Sequence, residues 1–280
     1  MTGSYTGLMR FLKGHGTEND FVLLPDPEGR LDLTPALAAA LCDRRAGIGG
    51  DGVLRVVRSE AYDDPSAVAA RGEAEWFMDY RNADGSTSEM CGNGIRVFGR
   101  YLVEHEGVDP AVPLPVGTRA GTKVLTFDGD DVSVDMGEPV VVGETKVSVG
   151  DRAWPALHVS MGNPHAVAFV DDLADAGTLQ EAPGHDAGEY PDGVNVELVV
   201  RRGERHVAMR VHERGSGETR SCGTGACAVM VASALADGAG PGSSYTVDVP
   251  GGRLGVTWRP DGHVTLTGPA VLVAEGEWLA

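Results

Sequence analysis

Two short stretches of this chain repeat one pattern. Met90-Cys91-Gly92-Asn93-Gly94 runs into Ile95, Val97, Phe98, Tyr101, Leu102 and Val103, and Ser221-Cys222-Gly223-Thr224-Gly225 runs into a segment from Ala226 to Ala236 that is apolar except for Ser233. Each stretch sets one cysteine and a Gly-x-Gly ahead of a helix that is apolar almost all round, and a short helix of that kind must be buried on every side. The two lie about half a chain apart, and 280 residues are enough for two halves with a core each. The pattern therefore predicts an α/β (α+β) chain of two pseudo-symmetric domains, each a set of strands wrapped around a central helix. The expected first domain is 1–135 with Cys91, joined by the C-terminal strand 269–280; the second is 136–268 with Cys222.

Strand-like runs dominate the remainder: DFVLLPD at Asp20, GVLRVV at Gly52, EWFMDYR at Glu75, VLTFDGDDVSVDMG across Asp130, HAVAFV at His165, VNVELVV at Val194 and HVAMRVHE at His206. Turn clusters such as PDPEG, RRGER and RPDGH separate them. Thr34-Pro35 reads as a cap with proline in the first turn of a helix. Further helices should open near Asn93 and Thr224 and stop before Gly107 and Gly238.

A cysteine at the start of a helix meets the positive end of the macrodipole, which should lower its pKa towards neutrality. The glycines after it let backbone N–H groups approach an anion, so each site is suited to a carboxylate beside a sulfur. Taken singly, such a cysteine is more simply a packed side chain. A matched pair suits inversion at a carbon next to a carboxylate, where one group removes a proton from one face and another returns it on the opposite face. Cys227, inside the apolar run, and Cys42, at the end of an Ala/Leu helix, are expected core residues.

Other chemistry finds little support. GIGGDG from Gly47 matches a dinucleotide fingerprint in letters, but a helix precedes it and a strand follows, the reverse of the required context. No H-E-x-x-H, paired C-x-x-C or G-x-S-x-G occurs, and no lysine context suggests a Schiff base. No cofactor and no metal are expected. With 23 basic and 41 acidic residues, a net charge of −18, the surface should repel nucleic acid and anionic membranes. No apolar run approaches the roughly 20 residues of a spanning helix. A cytoplasmic protein acting on a small molecule is the expectation.

The motifs KGHGTENDF at Lys13, RRAGIGGDG at Arg44, NADGSTSEMCGNGIR at Asn82, GNPH at Gly162, GVNVE at Gly193, HERGSGETRSCGTGACA at His212 and TGPA at Thr267 together resemble the diaminopimelate epimerases, in the family's order and over nearly the whole chain. The resemblance implies that family's fold, with the active site in the cleft between the two domains, and cofactor-independent interconversion of LL- and meso-diaminopimelate for lysine and peptidoglycan-precursor synthesis. It implies Cys91 and Cys222 as the catalytic acid/bases, with His165 as partner of Cys91 and Glu213 of Cys222. It implies Asn19, Gly92, Asn93, Gly223 and Thr224 around the reacting head of the substrate. For the distant head it implies Asn82, Asn163, Asn195, Glu213 and Arg214, and it suggests a homodimer. Two departures stand out: Gly52 replaces a glutamine of some members, leaving only a backbone role there, and Glu18 replaces a common glycine. Two other readings stay open. One is a proline racemase-like or hydroxyproline epimerase-like activity; the other is a redox-sensing thiol protein without turnover.

Overall fold

The computed structural model describes residues 8–279, in which 17 strands and four α-helices are formed. The strands are β1 (Met9–Gly16), β2 (Asn19–Pro25), β3 (Gly52–Arg58), β4 (Trp76–Asn82), β5 (Leu114–Thr118), β6 (Gly121–Asp128), β7 (Asp131–Asp135), β8 (Val140–Val149), β9 (Arg152–Ser160), β10 (Pro164–Phe169), β11 (Asn195–Gly203), β12 (His206–Glu213), β13 (Gly217–Thr219), β14 (Ser243–Val249), β15 (Gly252–Trp258), β16 (Val264–Pro269) and β17 (Val271–Trp278). The helices are α1 (Pro35–Cys42), α2 (Pro65–Ala70), α3 (Gly92–His105) and α4 (Gly223–Ala236). The described residues divide into two compact units, one of residues 8–16, 20–132 and 270–279, the other of residues 17–19 and 133–269. This is the mixed, sheet-dominated α/β class expected from the sequence.

The two units are built to one plan. In the first, β2 pairs parallel with β3, β3 antiparallel with β4, β4 parallel with β5, and β5 antiparallel with β6. In the second, β10 pairs parallel with β11, β11 antiparallel with β12, β12 parallel with β14, and β14 antiparallel with β15. The parallel step from β4 to β5 is crossed by α3 and that from β12 to β14 by α4, as a parallel connection requires. The ladders begin alike, with Phe21 opposite Gly52 in one and His165 opposite Asn195 in the other. The last strand, β17, pairs antiparallel with β1.

Both central helices are sunk in their units. All ten residues from Gly92 to Tyr101 except Arg100 are buried, and Leu102 with them; in α4 burial is complete from Gly225 to Ala234. Each fully buried large aliphatic or aromatic chain among them contributes about 1.5–3 kcal/mol relative to exposure. Gly107 and Gly238 follow the two helices at φ +70° and +68°, the left-handed conformation that stops a helix. At α1 the Thr34 side chain accepts the N–H of Leu37 and Pro35 fills the first turn. Cys42 and Cys227 are buried, as expected of core residues. Helix α2 has no sequence forecast: six residues are too few to show a period, and its cap is Asp64, which accepts the N–H of Ser66.

Candidate functional site

In the first unit Cys91 is the N-cap of α3. Its backbone is extended, at φ −137° and ψ 122°, so the side chain folds back over the first turn and the sulfur accepts the N–H of Gly94 at 3.4 Å. Gly92 and Asn93 follow, Asn93 fully buried. Asn82 ends β4, opposite Gly52, and its Nδ2 donates to Ser86 Oγ at 3.0 Å. A Cβ on Gly52 would lie 2.6 Å from Arg81 O and 2.6 Å from Tyr80 Cε2. No side chain can stand there without displacing β4, so the glycine leaves only backbone at this position.

The second unit gathers more of the predicted residues. Cys222 is the N-cap of α4, extended at φ −119° and ψ 116°, with its sulfur 3.3 Å from the N–H of Gly225 and 3.5 Å from Thr224 Oγ1. Glu213, at the end of β12, accepts the Thr219 hydroxyl on Oε1, and its charge bears on the Cys222 thiol. His165, on β10, is fully buried; its Nδ1 is 2.6 Å from Glu197 Oε1 and its Nε2 3.0 Å from Asn163 Oδ1. Asn163 Nδ2 reaches Thr224 Oγ1 at 3.4 Å. Asn195 spends its amide on the scaffold, donating to Pro164 O at 2.9 Å and accepting the Arg214 backbone N–H at 2.9 Å. The exposed Arg214 guanidinium makes a 3.4 Å contact to Asp192 O. Asn19, which opens β2, groups with this unit. So does Glu18, at φ +62°, a left-handed conformation that favours glycine; its Oε2 accepts from Arg220 Nε at 2.6 Å.

The thiol electrostatics run against the helix-terminus expectation. Burial pushes the Cys222 pKa well above the ordinary value of 9.0, and the negative charges of Glu213 and Glu197 push the same way. The hydrogen bonds from Thr224 and from the Gly225 N–H favour thiolate but are outweighed. Desolvation penalises a buried anion more than one helix turn stabilises it. Burial likewise raises Glu213 above 4.5, against the hydrogen bonds from Thr219 and Cys222. Cys222 therefore rests as a thiol near neutral pH, beside a carboxyl whose own pKa is raised. Cys42, also buried, is pushed up to about 11.

Two residues at this centre were not singled out from the sequence. Thr219 gives no signal as an isolated letter. Glu197 does give one: an acidic residue in the middle of VNVELVV, two positions after Asn195 and so on the same strand face, is out of place in a buried strand.

The fold recurs in solved structures of other proteins. A phenazine biosynthesis protein of the PhzF family from Bacillus anthracis superposes with a TM-score of 0.71 at 15% identity, covering 98% of this chain and 100% of the other. A hydroxyproline epimerase from Agrobacterium vitis, solved with bound trans-4-hydroxy-L-proline, superposes at 0.65 and 16% identity over 98% and 93% of the two chains. Likeness at such identities shows the fold alone. Sequence goes further. The profile of the diaminopimelate epimerases matches residues 11–142 and 157–273. The diaminopimelate epimerase of Streptomyces coelicolor is 64% identical over 96% of this chain and 94% of its own, and that of Thermobifida fusca 49% identical over 96% and 97%. The chain belongs to the diaminopimelate epimerase family.

Proposed function

We propose that the protein interconverts LL- and meso-diaminopimelate by two-base proton transfer without a cofactor. The observation that carries the reading is the matched pair of N-capping cysteines, one at the head of each unit's central helix, each sulfur held by the N–H of the third helical residue. In a two-base epimerisation one sulfur takes the α-proton as thiolate and the other gives a proton to the opposite face as thiol. Cys222, held protonated by burial beside Glu213, enters the cycle as donor and is recharged through Glu213. Cys91 then starts as the base, with His165 exchanging its proton. The backbone at Gly92, Asn93, Gly223 and Thr224, in the first turns of the two helices, receives the carboxylate of the reacting head, where it opposes the charge that builds as the carbon acid ionises, and Asn19 completes that end. Asn82, Asn163, Glu213 and Arg214 read the distant amino-acid head, the guanidinium facing its carboxylate, with Asn195 holding the Arg214 backbone in place.

The identities of 64% and 49% to named diaminopimelate epimerases support this substrate over a ring such as proline, for which Arg214 and the asparagines would have no partner. The protein works in the cytoplasm as a homodimer, on lysine and peptidoglycan precursors; among the described residues no helix is long and apolar enough to cross a membrane. The test is α-hydrogen exchange in deuterated solvent with purified protein and no additive. Diaminopimelate should exchange and invert. Exchange of proline or hydroxyproline in its place would transfer the activity to the ring substrates, and no exchange of any would leave a thiol protein without turnover.

A further inference from the structure

Glu197 is a fully buried carboxylate on β11, and packing alone does not ask for it. Its Oε1 lies 2.6 Å from His165 Nδ1, while Oε2 is buried with no hydrogen-bond partner among the described residues, a costly state for a carboxylate oxygen. The duplicated plan of the chain supplies an internal control. Counting from the first pair of each parallel ladder, His165 stands where the first unit has Phe21, and Glu197, two residues past Asn195, stands where it has Leu54, two residues past Gly52. The contacts agree. A Cβ on Gly94, third residue of α3, would meet Leu54 Cδ2 at 3.3 Å and Phe21 Cζ at 3.4 Å, whereas a Cβ on Gly225, third residue of α4, would meet Glu197 Oε1 at 2.6 Å. One unit closes the underside of its helix N-terminus with an apolar pair. The other places a histidine and a carboxylate in the same two positions.

We propose that Glu197 is a positioning residue that keeps a proton on His165 Nδ1, so that Nε2 alone takes up and releases the proton exchanged during epimerisation. This rests on the function proposed above and deepens it. With the Glu197 carboxylate as acceptor, the 2.6 Å contact takes its hydrogen from Nδ1. On the other side, Nε2 faces the Asn163 amide, which can follow either state. As drawn, Oδ1 accepts from a protonated Nε2 and Nδ2 reaches Thr224; turned over, Nδ2 donates to a bare Nε2 and Oδ1 accepts from the Thr224 hydroxyl. When His165 acts as acid, the proton leaves from Nε2 for the thiolate and its N–H electron pair stays on the ring; when it acts as base the same nitrogen takes the proton from the thiol. The Nδ1–H does not move. The titratable groups around the pair are Glu197 on β11, Glu213 on β12 and Cys222 at the head of α4, and Glu197 also acts as a negative charge on the latter two.

The experiment reads the ring nitrogens directly. In protein labelled with nitrogen-15 histidine, His165 Nδ1 should carry a proton at every pH from 6 to 9, whatever the state of Nε2. An unprotonated Nδ1 anywhere in that range overturns the assignment, without any variant. The E197L variant, copying Leu54, should remain folded, lose the Nδ1 preference and fall in turnover by about 10² or more with KM little changed. E197Q, whose side-chain oxygen still accepts from Nδ1, should retain more turnover than E197L. The double variant H165F/E197L, which copies Phe21 and Leu54, serves as folding control. An E197L enzyme with wild-type turnover and nitrogen shifts would also overturn the assignment. If wild-type protein failed to epimerise diaminopimelate, the functional reading would fall, and the nitrogen shifts would still decide the role of Glu197.

Discussion

The sulfur of Cys222 sits 3.3 Å from the backbone N–H of Gly225, so this thiol is the cap of α4 as well as the residue proposed to carry a proton. Cap and acid are separable. A serine at 222 keeps a capping oxygen but, as a far weaker acid, cannot carry the proton, whereas alanine removes both. The C222S and C91S enzymes should therefore keep wild-type thermal stability within a degree or so, and C222A and C91A should lose about 0.5–2 kcal/mol. All four should lose epimerisation by about 10² to 10⁴ or more. Thermal unfolding paired with turnover settles it; a serine variant retaining a tenth of the activity would remove that cysteine from the mechanism.

The raised pKa of Cys222 has a reactivity signature. Alkylation by iodoacetamide requires thiolate, so in the ligand-free enzyme the rate at Cys222 should climb with pH and reach half its plateau above pH 9, the ordinary thiol value. Peptide mass spectrometry across pH 6–10 gives the profile. A midpoint near or below neutrality would mean that the helix terminus, not burial, governs this thiol.

Glu213 makes the matching prediction for stability. Its folded pKa is raised above 4.5, so the native state holds its proton more tightly than the unfolded chain. The stability this gives is complete below about pH 4.5 and is lost as pH rises through the folded value. The variant E213Q does not titrate there. Measured by urea unfolding, wild type should lose stability relative to E213Q between pH 4.5 and neutrality. A gap that opened in the opposite direction would show the Thr219 and Cys222 hydrogen bonds outweighing desolvation.

Much of the architecture was legible because it is carried by local, repeated signals. The seven quoted strand runs fall on observed strands, since apolar β-branched stretches between turn clusters have few other uses, and the two Cys-Gly-x-Gly heads mark α3 and α4 to within a residue. What was not legible depended on partners distant in the chain. The thiol pKa reversed sign because a helix start read from sequence says nothing of how deep the helix lies, and Cys222 is only 5% exposed. The function of Asn195 as a strut between Pro164 and Arg214 needs the third dimension, as does the packing of Glu197 beneath Gly225. At Gly52, too, only the Tyr80 ring and Arg81 carbonyl explain why nothing larger stands there.

The strut predicts its own phenotype. Asn195 is 4% exposed, and replacing it by alanine strands the Pro164 carbonyl and the Arg214 N–H together. A backbone group stranded fully out of water costs about 1–3 kcal/mol, and these two, part-buried, cost up to that. N195A should therefore lower the urea midpoint clearly, and N195D should not rescue it, because a carboxylate can accept from Arg214 but cannot donate to Pro164. A fully stable N195D would show that the amide orientation is not as described.

The last prediction sets the two helix heads against each other. Gly94 and Gly225 occupy the same place in the duplicated plan, yet a methyl group on Gly94 meets side-chain carbons at 3.3–3.4 Å that can give by a few tenths of an ångström. On Gly225 it meets Glu197 Oε1 at 2.6 Å, Cys222 Cβ at 3.2 Å and Cys222 Sγ at 3.3 Å. The carboxylate cannot retreat without breaking its bond to His165, and the sulfur cannot move without uncapping the helix. Overpacking of this kind costs about 1–3 kcal/mol. G225A should accordingly lose more stability and more epimerisation than G94A, and it should disturb the His165 nitrogen shifts, which G94A leaves alone. Pairing G225A with E197A removes the obstructing oxygen and should recover part of the stability but none of the activity. Equal losses in G94A and G225A, or no recovery in the double variant, would mean that Glu197 does not fill the space beneath α4 in solution.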